Sequence, residues 1–220
     1  LAASLGVGVP AISQATPIYP ALKYVIGGGT PVLVYANPVG DVFVKSTSSG
    51  VSVTFQGYSR PISGTVEKPN IDLSTSNIYN GSPSTIDVDV WMTDIGFAAH
   101  ANPLGLLSSF GGTLGSGGTA EFWSYASMNG TAFDTSVTPF YDSGLITVAG
   151  TFGANSYSSQ LLSDPFSLTL RAHFRLKSGA GVTSSDQGIN VPEPSVLGMV
   201  GLGLLMVGLM GLRFRQARYR

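Results

Sequence analysis

The stretch FSLTLRAHFRLK, from Phe166 to Lys177, alternates apolar and polar residues at every position. A period of two is that of a β-strand with one buried and one solvent-facing side. The polar side of this strand carries Ser167, Thr169, Arg171, His173, Arg175 and Lys177. The stretch therefore predicts a long amphipathic strand in a β-rich fold.

Shorter alternating runs occur throughout the chain and are separated by turn residues. They cover 32–35, 42–47, 51–58, 85–95, 120–127 and 145–152. Between two of them lies Ser48-Ser49-Gly50, which predicts a hairpin with Gly50 at positive φ. Many short strands joined by such turns predict a single all-β domain, a jelly-roll-like β-sandwich, with a closed β-barrel as the alternative. The Gly-rich segment from Ala98 to Gly118 is expected to be a long crossover loop with a short helix.

Composition limits the classes of function. The chain has no cysteine and 29 glycines, which excludes a disulfide framework and thiolate metal sites. Acidic residues slightly exceed basic ones outside the C-terminal tail, so no basic patch for nucleic acid is expected. No cofactor is implied by any motif.

The C-terminal tail has three consecutive parts. Pro192-Glu193-Pro194-Ser195 is followed by 17 uncharged residues, 196–212, and then by Arg213, Arg215, Arg218 and Arg220. An apolar run of this length is at the lower limit for a transmembrane helix, and the arginines fit the cytoplasmic side of a membrane. The two prolines favour an extended backbone, the conformation in which processing enzymes bind substrates.

These three parts resemble the PEP-CTERM sorting signal of Gram-negative bacteria, which the membrane enzyme exosortase processes. The resemblance implies that Pro192, Glu193, Pro194 and Ser195 are recognition residues for exosortase. It further implies a precursor transiently anchored in the inner membrane, followed by delivery of the domain to the cell surface or extracellular matrix, often in producers of exopolysaccharide.

The N-terminal segment 1–15 is uncharged and ends in Ser13-Gln14-Ala15. Small residues three and one positions before a cut fit signal peptidase, so we expect cleavage after Ala15. The predicted organisation is a signal-peptide remnant at 1–15, a β-sandwich domain at 16–177, a flexible linker at 178–191 and the sorting signal at 192–220. Within that signal the motif is 192–195, the transmembrane helix 196–212 and the basic tail 213–220.

Asp87 and Asp89 lie on one side of a predicted strand, with Asp94 shortly after. Paired carboxylates can bind Ca²⁺ or serve as the acid and base of a glycosidase. The simpler interpretation, which we favour, is a solvated strand face, because no calcium-loop pattern is present.

His100 and His173 are the two histidines, and a zinc site needs convergent ligands. The arginines flanking His173 disfavour a metal, so both histidines are expected to be structural or surface residues. The chain has no G-x-S-x-G motif. We therefore expect no enzymatic activity and no metal.

Trp91, Trp123 and Tyr125 are candidates for contact with carbohydrate, since aromatic rings can stack on sugars. Packing in the core is the favoured alternative, and contact with a partner protein is a further one. The basic positions Arg171, Arg175 and Lys177 suit either an acidic polysaccharide or a solvated strand face. The sequence thus favours an exported, non-enzymatic surface or matrix protein that is associated with exopolysaccharide or other matrix proteins in a biofilm. One alternative is a carbohydrate-binding module. A secreted hydrolase or lyase is a further, less favoured alternative.

Overall fold

The structure is a computed structural model that describes residues 20–60, 63–99 and 101–192. Twelve strands make up its regular secondary structure in these ranges: β1 Ala21–Ile26, β2 Val32–Tyr35, β3 Asp41–Ser48, β4 Val51–Tyr58, β5 Asn70–Asn80, β6 Ile86–Phe97, β7 Leu104–Leu114, β8 Gly118–Ser127, β9 Tyr141–Asp142, β10 Gly150–Gln160, β11 Phe166–Leu176 and β12 Gly181–Asn190. Within the described residues there is no helix long and apolar enough to cross a membrane.

The strands form two six-stranded antiparallel sheets. Sheet A has the order β2-β1-β6-β11-β8-β9, and sheet B has the order β10-β7-β12-β5-β4-β3. No strand ladder joins one sheet to the other among the described residues, so the closed barrel is excluded and the predicted β-sandwich is confirmed. The predicted transmembrane helix at 196–212 lies outside the described residues.

The core fills the space between the two sheets, as the alternation predicts. Val88, Val90 and Met92 of β6 are fully buried, and so are Leu170 and Phe174 of β11. Burying an aliphatic or aromatic side chain of this size contributes about 1.5–3 kcal/mol. The hydrophobic effect on these inward faces therefore holds the two sheets together.

A layer of polar side chains also crosses the core. Gln187 of β12 donates through Nε2 to the carbonyl oxygen of Trp123 on β8 at 2.8 Å. The hydroxyls of Ser108 on β7 and Ser124 on β8 lie 2.6 Å apart. Both contacts join sheet B to sheet A, and they satisfy polar groups that would be costly to bury alone.

The hairpin between β3 and β4 confirms the predicted turn. Ser49 and Gly50 have φ of 51° and 80°, and Ser48 pairs directly with Val51. Positive φ at both central residues is the geometry of the tight turn that matches the twist of paired strands.

Two of the predicted connecting segments are wrong, because they contain strands. The expected crossover loop 98–118 contains β7, and the expected flexible linker 178–191 contains β12, which pairs with both β5 and β7. The sandwich therefore extends to Asn190, not to residue 177. β12 was missed because its inward positions include Ser185 and Gln187, which are polar but buried.

The predicted strand 145–152 is also wrong in position. β10 begins at Gly150, and Leu145 and Val148 are 62% and 76% exposed. Ile146 and Phe152 pack against the core, but Leu145 and Val148 lie on the surface, so the spacing of apolar residues here does not mark one buried strand face.

Candidate functional site on the outer face of sheet A

The solvent-facing side of sheet A brings together residues from five strands, and we call it the outer face. In register across the sheet lie Lys23, Trp91, Arg171, Trp123 and Asp142. We call these five residues the tryptophan row. Each occupies the outward position of its strand because the neighbouring positions, such as Val90 and Phe122, point into the core.

The tryptophan row is held by contacts between cations and aromatic rings. The Arg171 guanidinium carbon lies 4.7 Å from the ring centre of Trp123 and 5.3 Å from that of Trp91. Lys23 Nζ lies 4.3 Å from the ring centre of Trp91. Each such contact contributes about 0.5–2 kcal/mol, depending on desolvation. Both tryptophans are half-buried.

Placing the cation of Lys23 in this row has an electrostatic consequence. Burial, together with the nearby positive charge of Arg171, lowers the pKa of Lys23, and Asp89 opposes that shift. The charged form of Lys23 is therefore less strongly favoured over the neutral amine than it is in a fully hydrated lysine.

Next to the tryptophan row lies a second row, Asp89, His173 and Glu121, which we call the carboxylate row. Arg171 Nη2 donates to Asp89 Oδ1 at 2.8 Å, and His173 Nδ1 lies 3.2 Å from the same oxygen. Burial alone would raise the pKa of Asp89, but His173 and Arg171 outweigh it and lower that pKa. The His173 pKa is raised, chiefly by its contact with Asp89.

Asp87 and Asp89, the candidates for a metal or an acid–base pair, are thus engaged in ion pairs. Arg175 Nη1 lies 3.5 Å from Asp87 Oδ1, and His173 Nε2 lies 3.7 Å from the same atom. Among the described residues, no group of three or more His, Asp or Glu side chains is arranged to hold a metal ion. Arg171, His173 and Arg175 of β11 occupy the positions beside Asp87 and Asp89 where a metal ion would have to bind.

Two shallow grooves lie away from this face. Ser76, Tyr79 and Thr183 are among the residues lining one of them, and Lys68 and Asn190 are among those lining the other. Neither groove is lined by Asp87 or Asp89. The side chains of Asp87 and Asp89 are 44% and 20% exposed.

Several other candidates are placed differently from the tryptophans. Tyr125 is 5% exposed, so it is outside the solvent-facing part of the outer face. Lys177 follows the end of β11 and is exposed.

Asp94 points to the opposite side of β6 from Asp87 and Asp89, and it is fully buried with Arg60 as its partner. His100 lies outside the described residues.

The segment 128–140 covers one end of the outer face. Phe133 N donates to Thr93 Oγ1 at 3.2 Å, and the Phe133 ring centre lies 4.8 Å from Lys23 Nζ. No pattern in the sequence indicates this cover or the role of Lys23. The alternation in the sequence of β1 was a signal that could have identified Lys23 as outward-facing.

The predicted sorting motif begins at Pro192, separated by one residue from the end of β12. Val191 N donates to the carbonyl oxygen of Pro69 at 3.3 Å, and Pro192 is exposed. Ala15, Glu193, Pro194, Ser195 and the four tail arginines lie outside the described residues.

No protein-family model matches the sequence, and the search of curated proteins found no significant match. Among solved structures, a carbohydrate-binding module in complex with β-1,4-galactotriose is similar with a TM-score of 0.32 and 5% identity, over 62% of this chain and 84% of that one. The K1 cleaved adhesin domain of Lys-gingipain from Porphyromonas gingivalis has a TM-score of 0.36 and 12% identity, over 72% and 94% of the two chains. A xylan-binding domain of Xyn10C from Paenibacillus barcinonensis has a TM-score of 0.30 and 12% identity, over 70% and 88%.

Proposed function

We propose that this protein is an exported, non-enzymatic surface or matrix protein that associates with extracellular polysaccharide through the outer face of sheet A. The observation that carries the proposal is the position of Trp91 and Trp123. Both indoles lie half-buried on the same outer face, with Arg171 between them. Large aromatic side chains placed on a strand surface in this way are suited to binding, since they combine apolar area with a polar N–H.

The outer face supplies the types of contact that a polysaccharide chain uses. Indole surface packs against the apolar C–H groups of sugar rings, and charged groups such as Arg171 and Glu121 exchange hydrogen bonds with hydroxyls. The ion pairs between β6 and β11 hold these side chains in place before binding. A preorganised surface loses less conformational entropy when it binds, and this favours affinity.

A carbohydrate-binding module is the narrower form of this proposal, in which the outer face recognises one defined glycan. The half-buried indoles favour it as well. The two forms differ in selectivity, which titration with defined oligosaccharides would measure.

The proposal of a non-enzymatic role rests on how the carboxylates are used. A glycosidase needs one carboxyl group as acid and another as base or nucleophile, close to a bound sugar. Asp87 and Asp89 instead have arginine and histidine partners. These contacts favour the ionised form of Asp89, which is unsuited to donating a proton.

The resemblance of 192–220 to the PEP-CTERM signal supports the proposed destination. Signal peptidase would cut after Ala15 and exosortase would act near Pro192 to Ser195. The precursor would be held in the inner membrane of a Gram-negative bacterium until that processing. Exposed Pro192, shortly after β12, is compatible with access by a processing enzyme.

Binding to the producing cells' own exopolysaccharide tests the proposal. The mature protein recovered from those cells would be co-sedimented with the polysaccharide over a range of salt concentrations. We expect Trp91→Ala and Trp123→Ala each to raise the dissociation constant about tenfold or more, equivalent to about 1.4 kcal/mol.

The matched control is Tyr79→Ala, which removes an aromatic side chain that is 47% exposed on the other sheet. Circular dichroism would establish that each variant is folded, and Trp123→Phe would keep the ring if the alanine variant does not fold. No binding at any salt concentration, or equal losses for Tyr79→Ala and the tryptophan variants, would refute a polysaccharide-binding role for the outer face.

A further inference from the structure

Strand β10 is an edge of sheet B with one side paired along its whole length. All eleven residues from Gly150 to Gln160 pair with β7 without a register shift. No other strand of the described residues pairs with β10. Its second side therefore presents a row of backbone N–H and C=O groups that no other described strand pairs with, the feature that allows an edge strand to accept another strand.

The other three sheet edges carry features that discourage such pairing. β9 has two residues, and β2 has four, with Pro31 before it and Pro38 shortly after. β3 carries the charges of Asp41 and Lys45. Short length, proline and charge are the usual means by which natural edges avoid association.

β10 has none of these protective features. Between Asp142 and Asp164 the sequence contains no charged residue and no proline. Tyr157 within the strand and Leu161 just after it are 63% and 72% exposed. The strand thus combines regular geometry, neutrality and exposed apolar area, and each of these favours intermolecular strand pairing.

We propose that β10 pairs antiparallel with β10 of a second copy of this chain, forming a two-fold dimer with a continuous twelve-stranded sheet. A neutral strand suits a copy of itself, because self-pairing then places no like charges opposite each other. Antiparallel pairing continues the pattern of sheet B, in which each strand is antiparallel to its neighbour. A contact between identical surfaces uses both edges and closes at two copies.

The absence of cysteine makes a cross-linking test specific. Single cysteines would be placed one at a time at positions 151–159 of the otherwise unaltered protein and treated with a short thiol-reactive cross-linker. In an antiparallel two-fold pair, one position faces its own copy, and each step away separates the two thiols by about 7 Å along the strand. We expect one maximum of cross-linking near Asn155, with a decline on both sides.

Thr47→Cys on the β3 edge is the control and is expected to give little cross-linking. Uniform cross-linking along β10 would indicate parallel pairing and would overturn the proposal. Equal cross-linking of Thr47→Cys would show non-specific encounter and would also overturn it.

Sedimentation equilibrium provides an independent measurement without cysteines. We expect Asn155→Lys to weaken the dimer at least tenfold, because it places like charges together at the centre of the pair, and Thr47→Lys on β3 to leave it unchanged. A protein that stays monomeric up to about 1 mM, or a dimer that Asn155→Lys does not weaken, would exclude the β10 interface. Both readouts are independent of polysaccharide binding, so failure here would leave the proposed function standing.

Discussion

The Nε atom of Arg60 lies 3.0 Å from Oδ2 of Asp94, a carboxylate whose side chain is fully buried. The Ser59 hydroxyl donates to the same oxygen at 2.7 Å, and the backbone N–H of Ile95 donates to Oδ1 at 2.8 Å. Since Arg60 follows β4 of sheet B and Asp94 belongs to β6 of sheet A, this ion pair connects the two sheets.

Arg60→Met is expected to lower the free energy of unfolding by about 3 kcal/mol, because it leaves the buried charge of Asp94 without its cation. Urea denaturation would measure the loss. Arg175→Ala is the control, since the pair of Arg175 with Asp87 is 62% and 44% exposed and should contribute less than about 1 kcal/mol. Equal losses in the two variants would contradict the structural role of the Arg60–Asp94 pair.

Asp72→Asn is expected to stabilise the protein at neutral pH. Burial and the neighbouring Asp186 carboxylate raise the pKa of Asp72 to about 6. The folded state therefore binds more protons than the unfolded state between about pH 4 and 6, and stability falls as pH rises through that window. Asp72→Asn removes the titrating carboxyl group, so the variant does not lose stability in this way. Its free energy of unfolding should equal that of the unaltered protein at pH 4 and exceed it by about 1 kcal/mol at pH 7, after allowance for solvent screening.

Urea denaturation at several pH values would measure the effect of Asp72→Asn. Glu67→Gln, on an exposed turn, serves as the control and should show no comparable gain. If Asp72→Asn proves less stable than the unaltered protein at pH 7, the account of Asp72 is wrong.

His173→Gln is expected to destabilise the protein in mildly acidic solution and to have a smaller effect in alkaline solution. Contact with Asp89 raises the His173 pKa, although burial and Arg171 oppose the shift. A raised folded-state pKa gives stability that is fully present below about pH 6.5 and is lost as pH rises through the folded value. For a partly exposed pair the effect is on the order of 0.5 kcal/mol.

Thermal or urea unfolding at pH 5.5 and pH 9 would measure the difference for His173. Lys177→Gln, at the exposed end of the same sequence run, controls for general charge effects. A loss for His173→Gln that is the same at both pH values would argue against a protonated His173 in the folded protein.

Replacing Pro192, Glu193 and Pro194 with alanine is expected to block processing at the C-terminal tail. Immunoblotting of cell and medium fractions would then show a longer chain retained with the cells. Replacing Lys68 with alanine, outside the motif, should leave processing unchanged. Normal amounts of normal-length protein in the medium would contradict the sorting hypothesis.

Local alternation predicted several strands whose inward residues are apolar, but it missed β1 and β5, whose buried positions also include leucine and isoleucine. β2 and β4 have the predicted boundaries, and β11 differs from its prediction by one residue. β7 and β12 were missed because serine, glycine and glutamine occupy much of their sequence. Ser108, Ser185 and Gln187 are buried through hydrogen bonds to other strands, and those partners are distant in sequence.

The candidate site was predictable only in part for a related reason. The period of two indicates that Asp87, Asp89 and Arg171 face outward, but it says nothing about which strands are neighbours. Trp91 and Trp123 lie in one row because β11 is placed between β6 and β8. That order arises from long-range packing, and no local signal encodes it.

The end of β12 at Asn190 limits how a tethered pair of domains could lie on a membrane. If 196–212 lies in a membrane, residues 191–195 form a tether of at most about 17 Å. Antiparallel pairing of two β10 strands turns one copy end for end about an axis normal to the sheet, so both chain ends would stand at the same height along that axis. Two copies on such short tethers could therefore reach one membrane only with sheet B lying flat against it. Cleavage by exosortase would then release the pair from that one orientation as well as from the membrane.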